Sequence, residues 1–308
     1  MGSVNVDLTV RVPWLPLPGE TVRGGDVVRT AGGKGANQAV AVARLGADSR
    51  LVALTGDDAA GTELRAALAG ERGDVSGMDV AVGVPTGTAL ILVRPDGENT
   101  ITVSPGANDR LVESALDPRW FAGVDVLLAQ LEVPTATCLA AARLSRQAGA
   151  RVVLNAAPPS PCGDDLLPSL LEATDVLVVN EAEALALVEA ARPGGDEDWA
   201  AVAVALRGLG PPAVVVTRGA AGAVGVDADG APFAAAPYPV EAVDTVGAGD
   251  AFCAELAVAL GDGADLVTAV TRGCAAGALA TRGPGAQAAL PYRAEVDALH
   301  QSGPDAPP

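Results

Sequence analysis

From residue 51 onward, short β-branched runs alternate with alanine- and leucine-rich stretches of helical length, and no other feature restricts the fold so sharply. Residues 51–54, 125–129, 151–154, 175–179 and 213–217 read as strands, with helices at 61–68, 135–148, 181–190 and 198–208. Strands separated by helical crossovers pair in parallel, so the pattern predicts an α/β fold: a doubly wound, mostly parallel sheet flanked by helices. Hydrophobic residues make up 49% of the chain but aromatics only 3%. The core must therefore be built from small aliphatic side chains, which suits helices packed on both faces of a parallel sheet. After a strand at 223–226, three helices at 249–260, 264–281 and 293–300 close the chain.

Two stretches break the alternation. Residues 7–30 and 88–103 interleave polar and apolar residues around turns such as Pro18-Gly19-Glu20 and Pro95-Asp96-Gly97-Glu98, and no helix promptly follows either. They predict a small antiparallel β lid beside the main sheet. The length of 308 residues fits one such α/β domain carrying this lid. The acidic segment 193–198 reads as a surface loop, residues 302–308 as a disordered tail, and residues 2–7 as a turn-like opening.

Composition removes several function classes. A net charge of −18 leaves no basic footprint for nucleic acid. No apolar run reaches the roughly 18 residues that span a bilayer, and no basic stretch followed by an apolar block marks a secretory signal, so no membrane role and a cytoplasmic location are expected. One histidine, His300, rules against a serine-hydrolase triad or a histidine-rich zinc site. Cys138, Cys162, Cys253 and Cys274 lie far apart without a CxxC pair and read as reduced core thiols. Lysine occurs once, as Lys34 inside a glycine cluster.

Two glycine-rich segments carry chemistry. Gly247-Ala248-Gly249-Asp250 leads into an apolar helix. Small residues there leave the first helical N–H groups uncovered, an anion site suited to a phosphoryl oxygen, while Asp250 in the first turn is placed to take a proton from a hydroxyl. Phosphoryl transfer to an alcohol needs those two parts side by side. In the second segment, Ala31-Gly32-Gly33-Lys34-Gly35-Ala36-Asn37-Gln38 before a helix expected at 39–45, the glycines admit a ligand to the backbone, and Lys34 and Asn37 offer donors to hydroxyls. Its spacing is not that of a Walker A loop. Glu132, Asn155, Asn180, Glu183 and Thr217 follow predicted strands, where an open parallel sheet lines its ligand crevice. Asn180 and Glu183, three apart, suit a hydrated Mg²⁺. Each of these features is also the pattern of a helix cap or a tight turn.

Together these segments resemble the PfkB family of carbohydrate kinases over nearly the whole chain, from Gly2-Ser3-Val4-Asn5-Val6-Asp7 to Pro284-Gly285-Ala286-Gln287. The resemblance implies an ATP-dependent kinase in which Asp250 deprotonates a sugar hydroxyl and the N–H groups of Gly247, Ala248 and Gly249 steady the γ-phosphoryl group. It implies that Asn5, Asp7, Gly33, Lys34, Asn37 and Glu132 hold the sugar. Asn180, Thr217, Gly219, Gly222, Gly249 and Cys274 would contact ATP, and Asn180 with Glu183 would shape the Mg²⁺ shell. The form of the second segment resembles members acting on ribose and deoxyribose, so the 5-hydroxyl of D-ribose is the expected acceptor, with deoxyribose, a nucleoside or another sugar as alternatives. A non-catalytic sugar-binding regulator is a further alternative.

A monovalent cation, K⁺ in the family, would sit among Asp244 and the carbonyls of Val246, Ala280, Gly283 and Gly285. Ala289 stands where the family usually has a serine ligand, and Cys274 where it has Asn or His. Related proteins pair their lids, which implies a homodimer. The family's opening strand, buried in mid-sheet, would precede Gly2, so a gap in the sheet and a functional start upstream are also expected.

Overall fold

The computed structural model describes residues 1–159, 164–188 and 196–304. The first elements are β1 (Asn5–Arg11), β2 (Val27–Gly32), α1 (Lys34–Arg44), β3 (Ala53–Gly56), α2 (Ala59–Gly70), β4 (Met78–Ala81), β5 (Gly87–Val93) and β6 (Asn99–Ser104). Next come β7 (Val126–Gln130), α3 (Thr135–Gln147), β8 (Arg151–Asn155), α4 (Leu167–Glu172), β9 (Val176–Asn180), α5 (Glu181–Val188) and α6 (Asp196–Arg207). The described chain ends with β10 (Ala213–Thr217), β11 (Ala223–Val226), β12 (Pro232–Ala235), α7 (Ala248–Gly261), α8 (Leu266–Ala280) and α9 (Arg293–Ser302).

The main sheet runs β12-β11-β10-β9-β8-β7. Strands β7 to β10 are parallel, and β11 and β12 return antiparallel at the edge. Successive side chains of a strand point to opposite faces, and here both faces are covered. Val153, Val178 and Val215 join a core with α1, α7 and α8. Their neighbours Val152, Leu154, Leu177, Val179, Val214 and Val216 join a second core with α3, α4 and α6. This two-sided burial explains why the strands are apolar throughout rather than alternating.

The lid is a four-stranded sheet, β2-β1-β5-β6. Its outer pairs are antiparallel, and a parallel pair, β1 with β5, joins them. Residues 5–7, expected in a turn, are the first residues of β1, because β2 and β5 pair with them on both sides. Helix α1 starts at Lys34, not at residue 39. Its early start has a cause in the preceding chain: Gly33 turns with φ of 89°, Ser3 O accepts from Ala36 N, and Glu132 Oε2 accepts from Lys34 N. These partners satisfy N–H groups that a helix start otherwise leaves bare.

Other boundaries also move. Residues 196–198 open α6 instead of finishing a loop, and residues 193–195 lie outside the described residues, as do the last two residues of the helix expected at 181–190. Ser302 ends α9 rather than starting a tail, and residues 305–308 lie outside the described residues. Among the described residues no helix is long and apolar enough to cross a membrane.

Between β7 and β3 the sheet is interrupted: among the described residues β3 pairs only with β4, in a separate two-stranded sheet. A slot of about 660 Å³ lies there, lined by Leu51, Val52, Val126, Leu128, Val42 and Val258 among others. Met1 and Gly2 bridge its far end, with the Met1 ammonium donating to Leu128 O at 2.8 Å and Gly2 N to Val52 O at 3.1 Å. Burial holds that ammonium down at about 6. The two bonds point to opposite sides, as those of consecutive residues in a central strand do.

Candidate active site

Gln130, Asn155, Asn180 and Thr217 are the last residues of β7, β8, β9 and β10. The register sets Gln130 beside Asn155, Asn155 beside Val178, and Asn180 beside Thr217. A row of polar side chains thus rims the carboxyl edge of an apolar sheet, where doubly wound folds bind ligands.

Facing this rim is the head of α7. Gly247 caps the helix in the left-handed region, φ 83°, with no side chain covering the first turn. A Cβ at Gly247 would also come within 3.0 Å of Ala286, whereas the space in front of Gly249 is open. Ala248 N donates to Thr245 O at 3.3 Å, and no side chain caps the N–H groups that follow it at the positive end of the helix.

Asp250, in that first turn, is 6% exposed. Its Oδ2 accepts from Asn37 Nδ2 at 2.9 Å and its Oδ1 from Gln38 Nε2 at 3.0 Å. Burial raises its pKa, against the opposing pull of Lys34 and of the two amides; Glu132 adds to the rise. The result is a buried carboxylate fixed in direction and more basic than a free one.

The other half of the site is the junction of β1 with α1. Asn5 and Asp7, two apart on β1, point to one face. Asn5 Oδ1 accepts from Asn108 Nδ2 at 2.7 Å, and Asn108 also bonds both backbone groups of Val4. A Cβ on Gly32 would overlap the Asp7 carboxylate, and one on Gly33 would lie 2.8 Å from Asn5 N, so only glycines let the two elements meet so closely. Glu132 Oε2 accepts from Lys34 N at 3.0 Å and from the Ser3 hydroxyl, so Glu132 caps α1 as well as facing the crevice. Burial works against the Lys34 ammonium, but the charges of Asp250, Glu132 and Glu183 carry its pKa above the usual lysine value. The one lysine of this acidic chain is the cation that these three carboxylates share.

Asn180 and Glu183 form a reciprocal cap on α5, with Glu183 N donating to Asn180 Oδ1 and Asn180 N to Glu183 Oε2, each at 2.8 Å. Burial raises the Glu183 pKa. Residues 217–222 make the turn from β10 to β11, with Gly219 and Gly222 at φ of 54° and 79°. Arg218 N donates to Gly222 O at 2.8 Å and Thr217 Oγ1 to Val179 O at 3.3 Å. Cys274 lies in the core of α7 and α8, its thiol pushed up to about 12 by burial. Cys138, Cys253 and Cys274 are free and buried; Cys162 lies outside the described residues.

The residues expected around a monovalent cation meet in one corner. Asp244 accepts from Val246 N at 3.0 Å and Gly285 N at 2.8 Å, and Val243 N and Asp244 N both donate to Thr281 O, just after Ala280. Ala289 packs on Gly283, 3.3 Å from where a Cβ would stand, and brings no side-chain oxygen. Among the described residues no group of three or more His, Cys, Asp or Glu side chains is arranged to hold a metal ion.

The residue pattern left four participants unassigned: Gln38, Gln130, Asn108 and Gln287, the last donating to Asn37 Oδ1 at 3.1 Å. Gln38 stood at the end of the recognised glycine segment, a position i+1 from Asn37, and was the most legible of the four.

Asp7 offers a test independent of turnover. Burial first, then Glu132 and Asp250, raise its pKa from 3.8 to about 6. Between those values the folded protein holds a proton that the unfolded chain has lost, so stability falls as pH rises through the window. Asp7→Asn removes that loss. In the ligand-free protein its thermal midpoint should match the parent below about pH 4 and exceed it by roughly 2 to 5 °C at pH 7, as followed by circular dichroism across pH.

Comparison with known proteins bears on this geometry. The profile of the pfkB family carbohydrate kinases matches residues 1–293. The ribokinase of Haemophilus influenzae is 37% identical over 301 residues, which cover 96% of this chain and 95% of that protein. The crystal structure of ribokinase from Thermotoga maritima superposes with a TM-score of 0.85 at 31% identity, covering 97% of each chain. A structure of Arabidopsis thaliana ribokinase complexed with ribose and ATP gives a TM-score of 0.87 at 29% identity, covering 97% of this chain and 96% of that one. With a profile match over almost its full length and a buried acid at the head of α7 facing the sheet's polar rim, this chain belongs to the pfkB family of carbohydrate kinases.

Proposed function

We propose that the protein transfers the γ-phosphoryl group of ATP to the 5-hydroxyl of D-ribose, giving ribose 5-phosphate and ADP. The observation that carries this reading is Asp250: a buried carboxylate held from two sides, at the mouth of a helix that no side chain caps, opposite the face of β1 bearing Asn5 and Asp7. The ribokinases to which the chain is similar support the choice of sugar.

In this reading the ring hydroxyls of ribose engage Asn5, Asp7, Lys34, Asn37 and Glu132 beside the backbone of Gly33. Asp7 suits a sugar with free vicinal hydroxyls, which favours ribose over 2-deoxyribose. The primary alcohol meets Asp250, which takes its proton as the new O–P bond forms and the bond to ADP breaks. Burial, by raising the pKa of Asp250, brings it nearer to the strength a base needs at neutral pH. The N–H groups of Gly247, Ala248 and Gly249 face the charge on the transferred group. The nucleotide lies along Asn180, Thr217, Gly219 and Gly222, with Cys274 near its base. Asn180 and Glu183, whose capping bonds fix their orientation, would hold Mg²⁺ through water, and the ion would offset phosphate charge. K⁺ would sit on Asp244 and the carbonyls of Val246, Ala280, Gly283 and Gly285, where Ala289 supplies no oxygen. The whole forms one domain with its lid, working in the cytoplasm.

Asp250→Asn should lower kcat by about a thousandfold or more while ribose affinity, measured by calorimetry, stays within about threefold. Wild-type turnover in that variant would remove Asp250 as the base. A screen of pentoses, hexoses and nucleosides with MgATP, with and without K⁺, should give the highest kcat/KM for ribose and a faster rate with K⁺. Ribose binding without ADP release would favour a sugar-binding regulator instead.

The lid exposes Val27, Val28, Leu90, Ile101 and Val103, and its outer strands β2 and β6 pair with nothing further among the described residues. Such edges and apolar side chains need cover, and we assign it to the lid of a second copy. Light scattering at micromolar concentration should give twice the mass of the chain.

A further inference from the structure

Gln38 is 2% exposed and lies on α1 one residue beyond Asn37. Its Nε2 donates to Asp250 Oδ1 at 3.0 Å and reaches Asn155 Oδ1 at 3.4 Å. Its Oε1 accepts from Gln130 Nε2, and Gln130, on β7, is 1% exposed. The orientation of both amides follows from chemistry. An ionised carboxylate only accepts, so Gln38 must turn its NH₂ group toward Asp250 and its carbonyl away. Gln130 must then present its own NH₂ group to that carbonyl. This arrangement leaves Gln130 Oε1 buried without a hydrogen-bond partner, a cost of the kind that folded proteins rarely carry without a function. Flipping Gln130 would give that oxygen no better neighbour and would set two carbonyls against each other.

We propose that Gln38 is a positioning residue for the base, and that Gln130 acts through it, the two amides forming a relay from the carboxyl end of β7 to Asp250 Oδ1. The relay does two things. It fixes the plane of the carboxylate together with Asn37 on Oδ2, so that the remaining lone pairs aim at the sugar. It also stabilises the ionised form of a buried acid, keeping the base available near neutral pH. The other charged or titratable groups around Asp250 are Lys34 from α1, Glu132 from the segment after β7, Asp7 from β1 and Cys253 on α7. Of these only Lys34 favours the carboxylate, and that places much of the remaining task on the amides.

This inference rests on Asp250 being the base, and one experiment separates the two. The pH dependence of kcat/KM for ribose is recorded for the parent, Gln38→Leu, Gln130→Leu and the double variant, with Asp250→Asn as reference. Loss of a donor to the carboxylate raises its pKa, so the acid limb of Gln38→Leu should move up by about one pH unit. Its kcat should fall about tenfold at pH 7 while KM stays within about twofold. Gln130→Leu should shift the same limb in the same direction by less, and the double variant should be no worse than Gln38→Leu, because Gln130 has no other route to the base. An unmoved limb in Gln38→Leu, whatever the loss of rate, reduces Gln38 to a packing residue and overturns the proposal; so do additive effects in the double variant. Should Gln38→Leu fail to fold, Gln130→Met reads the limb, and an unshifted profile there overturns the proposal equally. Full turnover in Asp250→Asn would overturn the base assignment and the relay together.

Discussion

A carboxylate at the start of a helix, shut away from water, is unfavourable unless its oxygens are met by donors, and the architecture around Asp250 answers that requirement. Both donors come from one turn of α1, which can reach α7 only because Gly33 and Gly35 let the start of α1 lie against residues 2–5. A Cβ on Gly35 would collide with the backbone of Gly2 and Ser3. The closeness of two backbones thus decides the chemistry of a side chain on a third element. Long-range contacts of this kind tie the lid strand β1, the first helix and the late helix α7 into one unit around the acid.

The alternation of apolar runs made the main sheet legible because periodicity reports burial on two faces, and that is a property of each strand by itself. The strand-end polar residues were legible for a related reason: an asparagine or threonine closing a run of valines breaks the apolar pattern at the point where the strand leaves the core for the crevice. What the residues alone did not disclose depends on partners far along the chain. Residues 5–7 have the look of a turn until β2 and β5 flank them. Lys34 and Gly35 look like loop until Ser3 and Glu132 cap the helix they begin. Gln38 closes the glycine segment without a role of its own until Gln130 and Asp250 stand on either side of it. Asn180 and Glu183 show the overlap between the two readings most clearly, since the pair is a helix cap in the protein and, by the same geometry, is held still for a second use.

Electrostatics organises the crevice by scarcity. In a chain with net charge −18, Glu132, Glu183 and Asp250 gather around a lone lysine with Asp7 acting on two of them, and burial pushes Asp7, Glu183 and Asp250 toward their neutral forms. Lys34 and the amides pull the Asp250 carboxyl back toward its ionised form, the form that can act as a base. A polyanionic nucleotide approaching such a site depends on oriented dipoles more than on side-chain cations, and the head of α7 supplies one of them.

The two-sided burial of β8, β9 and β10 has its own consequence for motion. Strands in the middle of a parallel sheet ordinarily surrender their amide hydrogens to solvent last, because only global unfolding uncovers them. Val153, Val178 and Val215 on one face and Leu154, Leu177 and Val216 on the other are all buried. The slowest-exchanging part of the molecule therefore lies directly behind the rim that carries Asn155, Asn180 and Thr217.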